Sequence, residues 1–315
     1  MKFSITIPAY KRKFLSEAIE SCLAQSYKDF ELIIVDDASP EDLESVVNSF
    51  KDPRIRYYRN EKNCGAVDVV DNWNKCLDYA QGDYIICMGD DDRLLPCCLE
   101  EYAKLMEKHP GLGVYHAWTE IIDENGKFTN ITAARCEYES VYSLMWHRWN
   151  NRTQQYIGDF LFDTMQLRKN GGFYKLPLAW ASDDITAVIA ATSKGIANTQ
   201  QLGFCYRVNS QTISNSGNAE IKMLSVIKEQ EWYQSFLEKE PISETDKKYW
   251  ECIRKMLPRY FEKKKGVTIA NDLKSHSLLR LFYWIRNKKQ YNLSRRCMLY
   301  SVIVAMKSIG TFHKG

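Results

Sequence analysis

Short apolar runs alternate with amphipathic ones along the first third of the chain. The runs Phe3–Pro8, Phe30–Val35, Arg54–Arg59 and Asp83–Met88 predict strands, and Lys13–Gln25, Glu41–Phe50, Ala66–Ala80 and Cys97–His109 predict helices. This alternation predicts an α/β fold of strand-helix units feeding a largely parallel sheet. Glu31–Val35 and Tyr84–Met88 are apolar almost throughout, as expected of central strands covered by helices on both faces. From Gly111 the pattern is mixed: a strand over Gly113–Ile122 with a turn at Asp123–Gly126, helices over Tyr138–Trp149 and Asp183–Ser193, and a strand over Leu202–Val208. Beyond Ile213–Gly217 the periodicity is helical to the end, with interruptions near Pro241 and Gly266. A boundary is therefore expected after residue 217, between an α/β domain over 1–217 and an α-helical region over 218–315.

With 315 residues, 45% of them hydrophobic and 26% charged, the chain can bury a full core, which excludes a disordered protein or a small stapled scaffold. No run reaches the roughly 18–20 apolar residues of a membrane span. Ten cysteines at irregular spacing, without a C-x-x-C pair, predict reduced thiols rather than a disulfide framework or zinc site. The stretch Met1–Pro8 is too short for a signal-peptide core, so the expected location is cytoplasmic.

The net charge of +3 conceals a split, because residues 247–315 hold 17 Lys and Arg against 3 Asp and Glu. Interleaved aromatics (Phe282, Tyr283, Trp284, Tyr291, Tyr300) make this region a candidate surface for anionic lipid headgroups, hence for a peripheral position on the inner face of the plasma membrane. A solvated helical appendage has the same composition. Nucleic acid is not an expected partner.

Candidate chemistry lies where the strands end. Asp36-Asp37 closes the second strand and Asp90-Asp91-Asp92 follows the fourth, at the carboxyl ends where open α/β sheets bind ligands. Adjacent carboxylates repel one another unless solvated or neutralised, and a hard divalent cation such as Mg²⁺ or Mn²⁺ is commonly held by one or two of them together with substrate phosphates. Neither G-x-x-x-x-G-K-[ST] nor a G-x-G-x-x-G after the first strand is present, so phosphates are expected to be handled through metal.

These residues stand in longer strings. Ile5-Thr6-Ile7-Pro8-Ala9-Tyr10 and Ser21 to Ser39, ending in Ile33-Ile34-Val35-Asp36-Asp37, are followed by Asn63-Cys64-Gly65, Asn74, Ala80 to Ile85 and the Asp90–Asp92 cluster before Pro96. Gly171-Gly172-Phe173, Asp183-Asp184, Gly195 and Tyr206-Arg207-Val208 continue the series. In this order the motifs resemble family 2 glycosyltransferases of the GT-A fold, a Rossmann-like α/β/α sandwich with a mostly parallel sheet. The resemblance covers roughly residues 3–214; the helical remainder does not share it.

The resemblance implies an inverting transferase that moves a sugar from a nucleoside-diphosphate donor to a hydroxyl acceptor, in polysaccharide or lipid-linked oligosaccharide synthesis. It implies that Pro8, Ala9, Tyr10 and Asp37 cradle the base and that Asn63 and Gly65 line the donor site, with Asn74 either touching donor or making a structural bond. Asp90 would lie on the ribose, and Asp92, with Asp91 second, would hold the metal. Asp183-Asp184 occupies the place of a Glu-Asp pair, with Asp184 aligned as general base, and Arg207 would pair with the diphosphate. Trp180 is a candidate for stacking on a sugar face, or for core. Two departures stand out: Gly89 where a leading Asp is frequent, and Asn209 where a His is frequent, which removes a histidine ligand. A non-catalytic carbohydrate-binding or assembly subunit of the same fold, and a sugar-1-phosphate nucleotidyltransferase, are the competing readings. The second lacks its Gly-rich loop, since Pro8–Arg12 holds no glycine.

Overall fold

In the computed structural model, which describes residues 1–209, 218–276 and 279–309, the first strand β1 (Phe3–Ala9) is followed by α1 (Leu15–Leu23), β2 (Phe30–Asp36), α2 (Leu43–Asn48), β3 (Ile55–Arg59), α3 (Val69–Tyr79) and β4 (Tyr84–Cys87). β1 pairs in parallel with β2 on one side and β4 on the other, and β3 adds in parallel beyond β2. β2 is buried along its whole length, as its apolar run requires. The helices face it with apolar stripes: α1 buries Leu15, Ala18, Ile19 and Cys22, the i, i+3, i+4, i+7 spacing of one helical face. Because the chain turns to β2 on one side of β1 and to β4 on the other, a crevice opens at the carboxyl ends of β1 and β4.

The next elements are β5 (Arg93–Leu94), α4 (Cys98–Lys108), β6 (Val114–Ile122), β7 (Phe128–Ile131), β8 (Tyr138–Glu139), α5 (Val141–Trp149), β9 (Phe160–Asp163), α6 (Thr164–Lys169), α7 (Ser182–Ala191) and β10 (Ile196–Arg207). The sheet order is β3-β2-β1-β4-β9-β6-β10-β5, with β7 on β6 and β8 on β10. β9 runs antiparallel to both β4 and β6, and β5 antiparallel to β10, so the sheet is more mixed than the alternation predicts.

Three local expectations are corrected. The helix expected over Tyr138–Trp149 starts only at Val141, because Tyr138–Glu139 pairs with β10 and Ser140 caps the helix by accepting the Ser143 N–H. β10 starts at Ile196 instead of Leu202; its pairing with β6 shifts register between Asn198 and Leu202, and the polar pair Gln200-Gln201 hides its continuity. The helix expected to break near Gly266 runs through it.

Contacts divide the chain into Met1–Lys175 with Ser182–Thr212, and Leu176–Ala181 with Ile213–Gly315. The boundary expected after residue 217 lies outside the described residues. The second unit holds α8 (Ala219–Phe236), α9 (Glu244–His276), α10 (Arg280–Arg286) and α11 (Arg295–Ile309), around a core that includes Met223, Ile269, Leu273, Trp284 and Ala305. Within α9, Gly266 lies so close to α11 that a Cβ would meet the Tyr300 ring at 2.6 Å. All ten cysteines are unpaired. Among the described residues no helix is long and apolar enough to cross a membrane.

Gly82 sets the approach of β4 to β1. A Cβ there would lie 2.6 Å from the Ser4 nitrogen, 2.7 Å from the Phe3 carbonyl carbon and 2.8 Å from the Lys2 oxygen, all backbone atoms that cannot swing aside. Gly82→Ala is expected to cost about 1–3 kcal/mol of stability, read from the urea unfolding midpoint; an unchanged midpoint would show that the two strands can separate freely.

Candidate active site

The crevice at the ends of β1 and β4 is tied together by the acidic turn that follows β4. Asp90 Oδ2 accepts the backbone N–H groups of Tyr10 and Lys11, both at 2.7 Å, so this carboxylate holds the loop after β1. That is a correction to its expected position on the ribose: two amides leaving a strand need an acceptor, and Asp90 supplies it. Asp91 accepts the Asn209 side-chain amide, and Asp92 Oδ1 accepts the Arg207 N–H at 2.9 Å. Gly89 explains how both carboxylates fit, since a Cβ would meet Asp91 Oδ1 at 2.8 Å and Asp92 Oδ2 at 2.9 Å. The glycine that departs from the family pattern is the space into which these side chains fold.

Burial and mutual repulsion act on all three acids. Burial, then the Asp91 charge, raises Asp90 to about 6. Burial raises Asp91, and burial followed by Asp91 and Asp90 raises Asp92 well above the usual carboxylate range. Among the described residues no group of three or more His, Cys, Asp or Glu forms a ready ligand set. The chemistry that fits is the smaller demand of Mg²⁺ or Mn²⁺, two carboxylate donors with phosphate and water completing the shell. Asp91 and Asp92 offer that pair, and a cation would relieve the repulsion that raises them.

Beside this turn, Asp36 and Asp37 leave β2 with different tasks. Asp36 is fully buried, accepts Ser39 N–H and Tyr57 O–H at 2.7 Å each, and is paired with Arg59. Asp37 Oδ1 accepts Asn60 Nδ2 at 2.7 Å and Cys64 N–H at 3.0 Å, with Oδ2 also 3.1 Å from that N–H. Asp37 thus pins the turn that carries Asn63 and Gly65, and Oδ2 keeps lone-pair capacity for a ring N–H. Asn63 accepts the Gly65 N–H, and Gly65, at φ 77°, occupies a backbone region that favours glycine. Pro8 and Ala9 end β1, with Ala9 accepting Asp37 N–H at 2.9 Å, and Tyr10 is exposed at the rim.

Two residues expected on the donor are instead bound within the protein. Asn74 Oδ1 accepts Phe173 N–H at 2.8 Å and its Nδ2 donates to the Phe173 carbonyl at 3.3 Å, so the amide clamps α3 to the segment before residue 175. Arg207 is 1% exposed. Its guanidinium donates to the Asp91 carbonyl at 2.7 Å and to Glu17 at 2.6 Å, and lies 4.2 Å from the Phe14 ring centre. A guanidinium so enclosed supports the acidic turn from behind and is not aimed at a diphosphate.

A second acidic pair opens α7. Asp184 is paired bidentately with Arg148, at 2.9 and 3.2 Å, and accepts Gln155 Nε2 at 2.6 Å; Arg135, 3.0 Å from Gln155 Oε1, turns that amide toward it. Asp183 instead accepts the Asp184 N–H at 2.9 Å, and burial followed by the Asp184 charge raises it to about 7. The two carboxylates share a helix start and differ in chemistry: one is paired, the other holds a proton near neutrality.

Both acidic groups bear on one aromatic pair. Tyr156 and Tyr206 stack with ring centres 3.8 Å apart, and Asp159, buried and 3.0 Å from the Tyr156 N–H, fixes the first of them. Burial, then Asp92, Tyr156, Asp91 and Asp183, raises the Tyr206 phenol, which therefore lies within the field of both acid clusters. Arg148, Gln155 and Tyr156 escape the sequence reading because they lie in a stretch with no helical or strand period. Trp180 belongs to the helical unit, where the Lys222 ammonium lies 4.9 Å from its ring centre.

The model of glycosyl transferase family 2 matches residues 4–176. The chain belongs to this family. It is 36% identical over 128 residues, 39% of its length, to an uncharacterized glycosyltransferase of Methanocaldococcus jannaschii, 43% of which is matched. It is 37% identical over 110 residues, 34% of its length, to a GalNAc(5)-diNAcBac-PP-undecaprenol beta-1,3-glucosyltransferase of Campylobacter jejuni, 34% of which is matched. The chain thus spans less than half the length of these relatives. The crystal structure of residues 1–349 of TarS from S. aureus, solved with UDP-GlcNAc, superposes with a TM-score of 0.64 over 99% of this chain and 92% of that one at 14% identity, which shows the shared GT-A fold.

Replacing Arg207 separates a supporting role from a donor contact. Arg207→Met is expected to lower ligand-free stability by about 2 kcal/mol or more, the cost of lost charged hydrogen bonds, seen as a reduced melting temperature. Unchanged ligand-free melting with weakened nucleotide binding would return Arg207 to the diphosphate.

Proposed function

We propose that the protein is an inverting glycosyltransferase that moves a sugar from a nucleoside-diphosphate donor to an acceptor hydroxyl. The observation that carries this reading is the pair of acid clusters bearing on one tyrosine stack at the carboxyl ends of the strands. One cluster suits the leaving diphosphate and the other suits the incoming hydroxyl. Asp91 and Asp92 would hold Mg²⁺ or Mn²⁺, which when bound supplies Lewis-acid neutralisation of charge on the departing diphosphate. The loop of Pro8, Ala9 and Tyr10, the Oδ2 face of Asp37, and the Asn63–Gly65 turn are the protein's surface for the nucleoside.

Asp183 is the proposed general base. With its proton held to about pH 7 it is matched to accept a hydroxyl proton near neutrality, whereas Asp184 is already engaged by Arg148 and Gln155. As Asp183 takes the proton, the acceptor oxygen bonds to the anomeric carbon from the face opposite the leaving group. The bond from that carbon to the diphosphate oxygen breaks, and the nucleoside diphosphate leaves. Uridine is the first base to test, because TarS has been crystallised with UDP-GlcNAc and with UDP. A polysaccharide or lipid-linked acceptor, met at a membrane surface, is supported by the undecaprenol-linked substrate named for the Campylobacter relative.

A thermal-shift panel of UDP, GDP and dTDP, each with Mn²⁺ and with EDTA, tests the donor half. Metal-dependent stabilisation of about 2.7 kcal/mol is expected for the matching nucleotide at a hundredfold excess over Kd, and Asp92→Ala is expected to abolish it. No stabilisation in the folded wild type would favour a non-catalytic binding or assembly role.

The base assignment is tested by the pH profile of nucleotide release. The rate is expected to rise with pH through about 7. Asp184→Asn removes a negative neighbour and frees Arg148, so it should shift that inflection downward, while Asp183→Asn should remove transfer. Linkage gives a second readout. A folded-state pKa raised from 3.8 to about 7 means that folding stability falls as pH climbs through that window, and Asp183→Asn should remove this fall. An active Asp183→Asn enzyme would assign the base elsewhere.

A further inference from the structure

After Asp272 the chain contains no Asp or Glu, and it contains nine Lys or Arg residues. The fold sorts the side chains of this stretch. Trp284, Tyr291, Cys297 and Ala305 enter the core of the helical unit. Phe282 and Ile285 on α10 remain 72% and 47% exposed, and Leu299, Ile303 and Met306 on α11 remain 64%, 43% and 59% exposed. The spacing of the last three, i, i+4, i+7, lines them up as one stripe along α11. Where the connection from α10 enters α11, a cleft of about 510 Å³ is lined by Ile285, Lys288, Lys289, Asn292, Arg295 and Met298, with Leu293 and Ser294. Its lining contains three cations and no carboxylate; behind it, Glu262 accepts the Ser294 hydroxyl.

Charge decides what covers this face. A second copy would bring the same acid-free stretch against these cations and be repelled. An anionic bilayer offers what both parts of the surface lack, phosphate for the cleft and hydrocarbon for the stripe. We propose that α10, α11 and the cleft between them form a docking site for an anionic phospholipid surface. A headgroup phosphate sits among Lys288, Lys289 and Arg295, and Phe282, Leu299 and Ile303 reach the acyl boundary. The proposal deepens the reading of a transferase with a membrane-borne acceptor, and its test involves no turnover, so the two readings fail separately.

The full chain would be sedimented with phosphatidylcholine vesicles with and without phosphatidylglycerol, at low and high salt. Binding is expected only with phosphatidylglycerol and should weaken as salt rises. Lys288→Ala with Lys289→Ala should lose about fivefold in affinity for each charge removed, and Leu299→Ser with Ile303→Ser more than tenfold. These exposed positions leave the helical core intact, which circular dichroism of each variant checks. Wild type that ignores phosphatidylglycerol, or variants that bind as wild type does, would overturn the proposal. So would a wild-type dimer in analytical ultracentrifugation that Leu299→Ser with Ile303→Ser converts to monomer, because the face would then belong to a second copy.

Discussion

Three neighbouring carboxylates partly withdrawn from water repel one another, and much of the catalytic unit is arranged to hold them in place. The direct supports are mostly neutral: backbone N–H groups of Tyr10, Lys11 and Arg207, and the side-chain amide of Asn209. The nearest buried guanidinium, Arg207, is directed at a carbonyl and at Glu17 and not at the carboxylates themselves. Geometry is thereby fixed while negative charge is left in place. A fully paired cluster would be more comfortable in the folded protein and less able to attract a cation.

The pair at the start of α7 works by asymmetry. Arg148 and Gln155 hold Asp184, and the charge so fixed raises the proton affinity of its neighbour, already raised by burial. Side chains from α5 and from the segment before β9 thus adjust a residue on a third element. Divided duties between adjacent acids, set by their surroundings, are a general way to obtain proton transfer near neutral pH.

The strands that carry the site were legible because a strand buried on both faces must be apolar throughout, and the acid clusters were legible because nothing but solvation or function tolerates them at strand ends. Partners were not legible. Asn74 and Arg207 stand in motifs that point to a donor, but their hydrogen-bond partners lie 99 and 190 residues away, a distance over which local pattern is silent. β9, four residues long, gives too little alternation to be seen. Gly266 reads as a helix breaker until the Tyr300 ring shows why a side chain is excluded there.

The same long separations bear on how the protein folds. The site draws on residues near 10, 37, 64, 91, 150, 183 and 207, so no local segment forms a working part alone, and each closing loop must lose chain entropy before its contacts give anything back. The clamp between Asn74 and the Phe173 peptide joins the third helix to a turn that emerges far later from synthesis. Parallel strands can collapse early on their apolar faces, but the carboxylates reach their positions only when the last strand, β10, brings the Arg207 backbone to Asp92. Assembly of the acidic turn is therefore a late event, and partly folded chains carry the sheet before they carry the chemistry.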